Sequence, residues 1–137
     1  MRTYGPGFRE NGGQYTHAAV WLARACFRTG RWEDGYALLR DMALACREGA
    51  YGAEPYVLPA DVYTAPGMDG RAGWSWYTGA AGWWYRVAWQ DMLGFSLHQG
   101  APRFDPPAPV REKGWALRWE KADKNTLPFP PKTENNS

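Results

Sequence analysis

Apolar and polar positions first settle into a helical rhythm in "YTHAAVWLARACFRT", Tyr15 to Thr29. There Ala18, Trp21, Leu22 and Ala25 recur one turn apart, and Gly30 marks a stop. A second pattern, "WEDGYALLRDMALACREG", puts Tyr36, Leu39, Ala43 and Cys46 on one face and ends at Gly49. The link between them is short, which predicts an antiparallel helix pair. Upstream, Met1 to Gly13 carries Gly5, Pro6, Gly7, Gly12 and Gly13 and reads as loop. Between Ala50 and Gly73, Pro55, Pro59 and Pro66 interrupt any long element, leaving a short helical turn predicted over residues 57–63. The stretch "WYTGAAGWWYRVAWQDMLG" predicts a third helix from Thr78 to Leu93, ended by Gly94. Beyond it, "FSLHQGAPRFDPPAPVREKGWALRWE" alternates around Gly100 and Gly114 and predicts short strands. The tail from Lys121 is rich in Pro and Asn and has the composition of a disordered segment. The class is mainly α. Three helices with a few strands read as part of a larger helical array, so the chain is expected to be a fragment.

Composition narrows the function. A chain of 137 residues allows one modest domain. A formal charge of +2, with Lys and Arg scattered, argues against a nucleic-acid partner. No segment approaches the ~20 apolar residues of a membrane span, and the N-terminus lacks the apolar core of a leader. The expected location is the cytoplasm. Cys26 and Cys46 lie in helical stretches without CxxC spacing and are expected as buried thiols in a reducing compartment, with no metal site. Nine Trp, eight Tyr and five Phe are the outstanding feature. Such rings fill cores, and they also stack on the apolar faces of sugars while offering a polar edge to hydroxyls.

The candidate chemistry gathers at two predicted helix starts. In "RENGGQYTH", Gly12 and Gly13 allow a sharp turn before His17 enters the first helix. In "WYTGAAG", Thr78 offers a hydroxyl and Gly79 leaves its amide uncovered. Amides at a helix N-terminus attract anions, and an imidazole there adds a hydrogen bond or a charge. If the two starts faced each other they would hold a phosphate. The plainer alternative makes Thr78 a simple N-cap and His17 a structural hydrogen-bonder. Glu10, Glu54, Asp61 and Asp69 lie in predicted loops beside aromatics and could supply the paired acids of a hydrolase, or equally caps and ion-pair partners for Arg9 or Arg71. Trp21, Trp83, Trp84 and Trp89 are expected in the core, whereas Trp74, Trp76 and Tyr77 precede the helix and are placed to line a cleft.

Three blocks in order, "GFRENGGQYTHAAVWLARA", "EPYVLPADVY" and "GRAGWSWYTGAAGWWYR", resemble glycoside hydrolase family 94 over about residues 5 to 105. This family includes carbohydrate phosphorylases and the C-terminal region of cyclic β-1,2-glucan synthases. The resemblance implies that residues 1–94 are the last helices of an (α/α)6 catalytic barrel, that residues 95–120 begin a small β-domain, and that residues 121–137 form a disordered tail. His17, Thr78 and Gly79 match the family's phosphate-binding positions. Arg9 and Glu10 match positions that contact the sugars at the cleavage point, and Trp76 and Tyr77 are expected to contact sugar as well. "PADVY" carries Ala60 where the cellobiose pattern has a sugar-binding Gln, which favours the β-1,2-glucan branch.

The implied reaction is inverting phosphorolysis, with phosphate or glucose 1-phosphate and a β-glucan oligosaccharide as partners, phosphate as co-substrate and no other cofactor. The family's general acid is an Asp in an upstream segment that this sequence lacks. No catalytic residue is therefore assigned here, and the isolated chain is expected to be inactive without the upstream part of the same enzyme. That enzyme is expected in the cytoplasm or as the cytosolic portion of a larger membrane-bound synthase. Phosphate arrives as an anionic nucleophile, so such an enzyme needs no second carboxylate to activate water. The alternative reading is a non-catalytic carbohydrate- or phosphate-binding remnant.

Overall fold

The computed structural model describes residues 4–45, 49–54, 56–76, 78–114 and 118. Helices dominate, joined by two small antiparallel sheets. Gln14–Tyr15 forms β1 and runs straight into α1, Thr16–Arg28, which is followed by α2, Trp32–Ala45. The link between these helices is short, and α1 lies against α2. After a loop come β2, Asp61–Val62, and β3, Ala72–Gly73. Helix α3 spans Ala80–Val87 and continues as a π-helical turn over Ala88–Met92. Strands β4, Phe95–His98, and β5, Ala101–Phe104, form a hairpin, and α4 covers Ala108–Glu112.

Val20 and Ala23 of α1, Leu39 of α2, Val87 of α3 and Ala88 beyond it form the buried core, with Phe27, Met42 and Trp84 packed around it. Val20, Leu39 and Val87, fully buried there, each contribute about 1.5–3 kcal/mol. Two indoles lock the helices together. The Trp84 Nε1–H donates to the Leu39 carbonyl at 3.1 Å, and the Trp32 Nε1–H donates to the Met92 carbonyl at 3.0 Å. Asp91 is bridged by Arg28 and, at 3.4 Å, by Arg24, which ties α1 to the π-helical turn.

The apolar stripe predicted for α1 is not its core face. Thr16, Val20, Ala23 and Cys26 are buried, while Trp21 and Leu22 are 53% and 56% exposed. Helix α1 is apolar on two sides, and periodicity alone does not say which one the neighbours cover. Trp21 is therefore not a core residue, and Trp83, Trp84 and Trp89 are only half-buried. On α2 the buried line is Trp32, Gly35 and Leu39; Cys46 lies outside the described residues, as does the tail from Lys121.

Residues 57–63 do not form the predicted helical turn. The Ala60 amide donates to Gly73 and Trp74 carbonyls, both at 3.1 Å, and the Ala60 carbonyl accepts from Thr16 at 3.0 Å. Those ladder bonds hold the segment extended, and Pro59 has no amide with which to continue a helix. The third helix starts at Ala80 rather than Thr78 and changes pitch at Ala88. It stops at Gly94, whose φ of 77° suits glycine and whose position a Cβ would contest with the backbone of Asp105. The first half of the predicted strand region is the β4–β5 hairpin, turned by Gln99 and Gly100, both at positive φ. Its second half is helical at α4, where Pro107 is the N-cap residue and Pro109 sets the first turn.

Candidate phosphate and sugar site

The small three-stranded sheet is what brings the two candidate helix starts together. β2 lies in the middle, pairing Tyr15 with Asp61 on one side and Asp61 with Gly73 on the other. β1 leads directly into α1, and β3 leads through Trp74 and Ser75 towards α3. Helices α1 and α3 therefore leave the two strands that flank β2, and they pack on each other. The His17 ring, in the first turn of α1, lies 6.4 Å from the ring of Trp83 in the first turn of α3. It also meets Trp21 edge-on at 5.9 Å.

Thr78 and Gly79 immediately precede Ala80. The Thr78 hydroxyl accepts from the Ala80 amide at 3.2 Å, and the Gly79 carbonyl accepts from the Trp83 amide at 3.0 Å. The N-cap residue is Gly79, not Thr78, which lies one position earlier and offers its hydroxyl to the first amide of the helix. Gly79 is exposed, and a Cβ built on it would meet only an edge atom of Trp83, at 3.9 Å. Its φ of −80° is one any residue adopts, so neither backbone conformation nor packing requires glycine at this position.

The helix starts also differ electrostatically. The first turn of α2 carries Glu33 and Asp34, the usual complement to a helix N-terminus. Neither α1 nor α3 has an acidic residue in its first turn, and Tyr15 at the N-cap of α1 supplies no side-chain cap. Two neighbouring positive dipole ends are left without a carboxylate, an arrangement that suits an anion. Below them Trp83 is flanked by two guanidinium groups, Arg24 at 5.3 Å and Arg86 at 5.2 Å from its ring centre. Sequence reasoning missed both. The signal was present: Arg24 follows His17 by two helical turns, and Arg86 follows Gly79 by the same interval.

Arg9 and Glu10 sit on a loop clamped from several sides. Gly7 donates to the Asn11 carbonyl at 2.8 Å and Gly13 to the Arg9 carbonyl at 2.9 Å, while the Thr64 hydroxyl donates to the Gly12 carbonyl at 2.8 Å. Arg9 holds a φ of 46°, and its amide donates to Asp61 Oδ2 at 3.0 Å. Its guanidinium lies over the Trp74 ring at 4.6 Å and the Tyr4 ring at 5.5 Å. Glu10 is exposed.

Of the other candidate acids, Asp61 is fully buried in β2 rather than in a loop, and it meets Arg9 through the backbone amide. Asp69 is exposed. Glu54 is held below the ordinary carboxylate range, first by its own backbone amide and then by Ser75. Trp76 is 69% exposed beside Tyr56, and Tyr77 lies outside the described residues. Among the described residues no group of three or more His, Cys, Asp or Glu could hold a metal ion, and no helix is long and apolar enough to cross a membrane.

The chain is 44% identical over 122 residues to cyclic beta-(1,2)-glucan synthase NdvB of Rhizobium meliloti (strain 1021), across 85% of the chain and 4% of that protein. It is 32% identical over 109 residues to solabiose phosphorylase of Paenibacillus borealis, across 76% of the chain and 14% of that protein. The chain thus spans only a small part of the curated relatives it matches. Residues 1–94, well over half of the sequence and including both helix starts and the Arg9 loop, match the catalytic domain of the glycosyl hydrolase 94 superfamily, and the chain belongs to that family.

Proposed function

We propose that this chain supplies the phosphate-binding and part of the sugar-binding surface of a glycoside phosphorylase or glycosyltransferase acting on β-glucosidic bonds, with β-1,2-glucan as the substrate class. The observation that carries the reading is the packing of two acid-free helix starts against each other, with His17 at one and Thr78 and Gly79 at the other. The names of the two relatives, one a glucan synthase and one a phosphorylase, support a glycosyl-transferring activity.

In this reading His17 and the open Gly79 amide orient inorganic phosphate while the Thr78 hydroxyl lines the same hollow. A phosphate oxygen attacks the anomeric carbon from the face opposite the leaving sugar, and the glycosidic C–O bond breaks with inversion. The departing oxygen takes its proton from an acid contributed by the rest of an (α/α)6 catalytic domain. This chain's share is positioning and charge: a nucleophile that arrives ionised needs alignment more than deprotonation. Arg9 and Glu10, with Trp76 and Tyr77, contact the sugars. Location follows the parent enzyme, cytoplasmic or the cytosolic part of a membrane-bound synthase.

The test is His17→Ala within a complete catalytic domain, with phosphate and oligosaccharide affinities measured separately. Phosphate affinity should fall by roughly tenfold or more, the scale of losing one hydrogen bond to a charged group, and sugar affinity should change little. Equal losses for both ligands would mean that His17 only supports the fold.

A further inference from the structure

Asp61 is fully enclosed in β2, the middle strand of the three-stranded sheet. Packing alone does not call for an acid there. Burying a carboxyl group carries a desolvation cost that hydrogen bonds must offset. Here Oδ2 accepts the Arg9 amide at 3.0 Å, while Oδ1 has no hydrogen-bond partner among the described residues. An apolar side chain of similar size would fill the same space without that cost.

The surroundings are shaped to admit this group. Across the ladder stands Gly73, where an added Cβ would come within 2.6 Å of both Asp61 Oδ1 and the Tyr63 hydroxyl. Glycine at 73 thus leaves the room that the carboxyl group occupies. Arg9, on the other end of the hydrogen bond, holds a φ of 46°, which persists in a non-glycine residue only where neighbours impose it. A half-satisfied buried acid, a glycine inside a strand and a left-handed arginine meet at one contact. Local choices that work against stability and cluster in this way mark function.

The contact governs both ends of Arg9. Asp61 holds its amide directly. Its guanidinium rests on the Trp74 ring at 4.6 Å, and the Trp74 carbonyl accepts from the Ala60 amide at 3.1 Å. Backbone and charged tip are therefore both referenced to the same short stretch, Ala60 and Asp61. We infer that Asp61 is a positioning residue: enclosed, it reaches no ligand itself and acts by fixing Arg9 where Arg9 meets sugar. This rests on the sugar-binding reading of Arg9 proposed above. The side chain's hydrogen bond goes to Arg9 and to none of His17, Thr78 or Gly79, so its loss separates sugar from phosphate. A merely architectural Asp61 would not separate them, because β2 also pairs with the strand that leads into α1.

The experiment compares Asp61→Asn with Asp61→Thr. Both lose the carboxyl group and keep a similar size, but only Asn retains an oxygen that reaches the Arg9 amide; the Thr hydroxyl ends one bond short. Arg9→Asn supplies the reference, since Asn tolerates a positive φ and removes the guanidinium. In the 137-residue chain, NMR reads the ring-current shift of the Arg9 side-chain protons over Trp74. In a complete catalytic domain, calorimetry reads affinity for a β-1,2-linked glucose oligosaccharide and, separately, for inorganic phosphate. Asp61→Thr should abolish the Arg9 shift and lower oligosaccharide affinity roughly tenfold, the scale of one misplaced charged hydrogen-bonding group. Asp61→Asn should keep both, and phosphate affinity should hold in each variant. Added to Arg9→Asn, Asp61→Thr should remove little more sugar affinity.

An Arg9 shift that survives Asp61→Thr, or equal losses in sugar and phosphate affinity, would overturn the inference and leave the sugar reading of Arg9 standing. So would equal effects of the two Asp61 variants, a failure of both to fold, or additive losses with Arg9→Asn. Undiminished sugar affinity in Arg9→Asn would instead remove the sugar reading itself, and with it the purpose assigned to Asp61, even where the Arg9 shift still depends on Asp61.

Discussion

Arg9 shows how much local structure one side chain can require. Its positive φ is maintained because a fully buried carboxylate, Asp61, accepts its amide, and because the adjoining turn is closed by Gly7 and Gly13. At Gly7 the φ is 86° and a Cβ would overlap the backbone of Ala65. Gly7→Ala is therefore expected to cost about 1–3 kcal/mol in thermal or denaturant unfolding, since strain and overlap act together. A cost near zero would show that the loop is not clamped. Glu54 gives a pH-dependent case. Its folded-state pKa is depressed, chiefly by its own amide, so its contribution to stability is whole above the ordinary carboxylate value and is lost as pH falls through the lowered one. Glu54→Gln should flatten the acid limb of a plot of melting temperature against pH, and an unaltered limb would contradict the assignment.

At the scale of elements, what the sequence reveals depends on whether a pattern has one solution. Helices α1 and α2 and the strands β4 and β5 were legible because periodicity, stop glycines and the alternation around Gly100 each point one way. The buried face of α1 was not, because Val20, Ala23 and Cys26 compete with Trp21, Leu22 and Ala25 as equally apolar stripes. Leu39→Ala, in the core, should cost about 2–5 kcal/mol, while Leu22→Ala on the exposed stripe should stay within about 0.5 kcal/mol. Reversed magnitudes in chemical denaturation would mean that the core lies on the other side. β2 and β3 were invisible in the sequence because two-residue strands carry no period, and only their partners' hydrogen bonds define them. In α3, a methyl group added at Gly82 would meet no neighbouring atom within 4 Å beyond the helix's own backbone. Gly82→Ala should therefore stabilise the helix by about 0.5–1 kcal/mol, measured in the same denaturation experiment.

For the molecule as a whole, the candidate site is a product of topology. The His17 ring of one helix start comes within 6.4 Å of the Trp83 ring of the other because a strand from the middle of the chain, β2, pairs with the lead-in to each helix. The residue types at the two helix starts could be read in advance; their convergence could not, since no local pattern encodes which strand joins which. Family membership assigns residues 1–94 to a catalytic domain, and the absence of acids from both first turns is what the proposed anion site rests on. The central claim is that both helix starts grip one anion. It is tested most directly by a double-mutant cycle on inorganic phosphate affinity, using His17→Ala, Thr78→Ala and the pair. Groups that share a ligand should couple by about 0.5 kcal/mol or more, so the double variant loses less, or more, than the sum of the singles. Strictly additive losses, or a chain that binds no phosphate at all, would contradict the account.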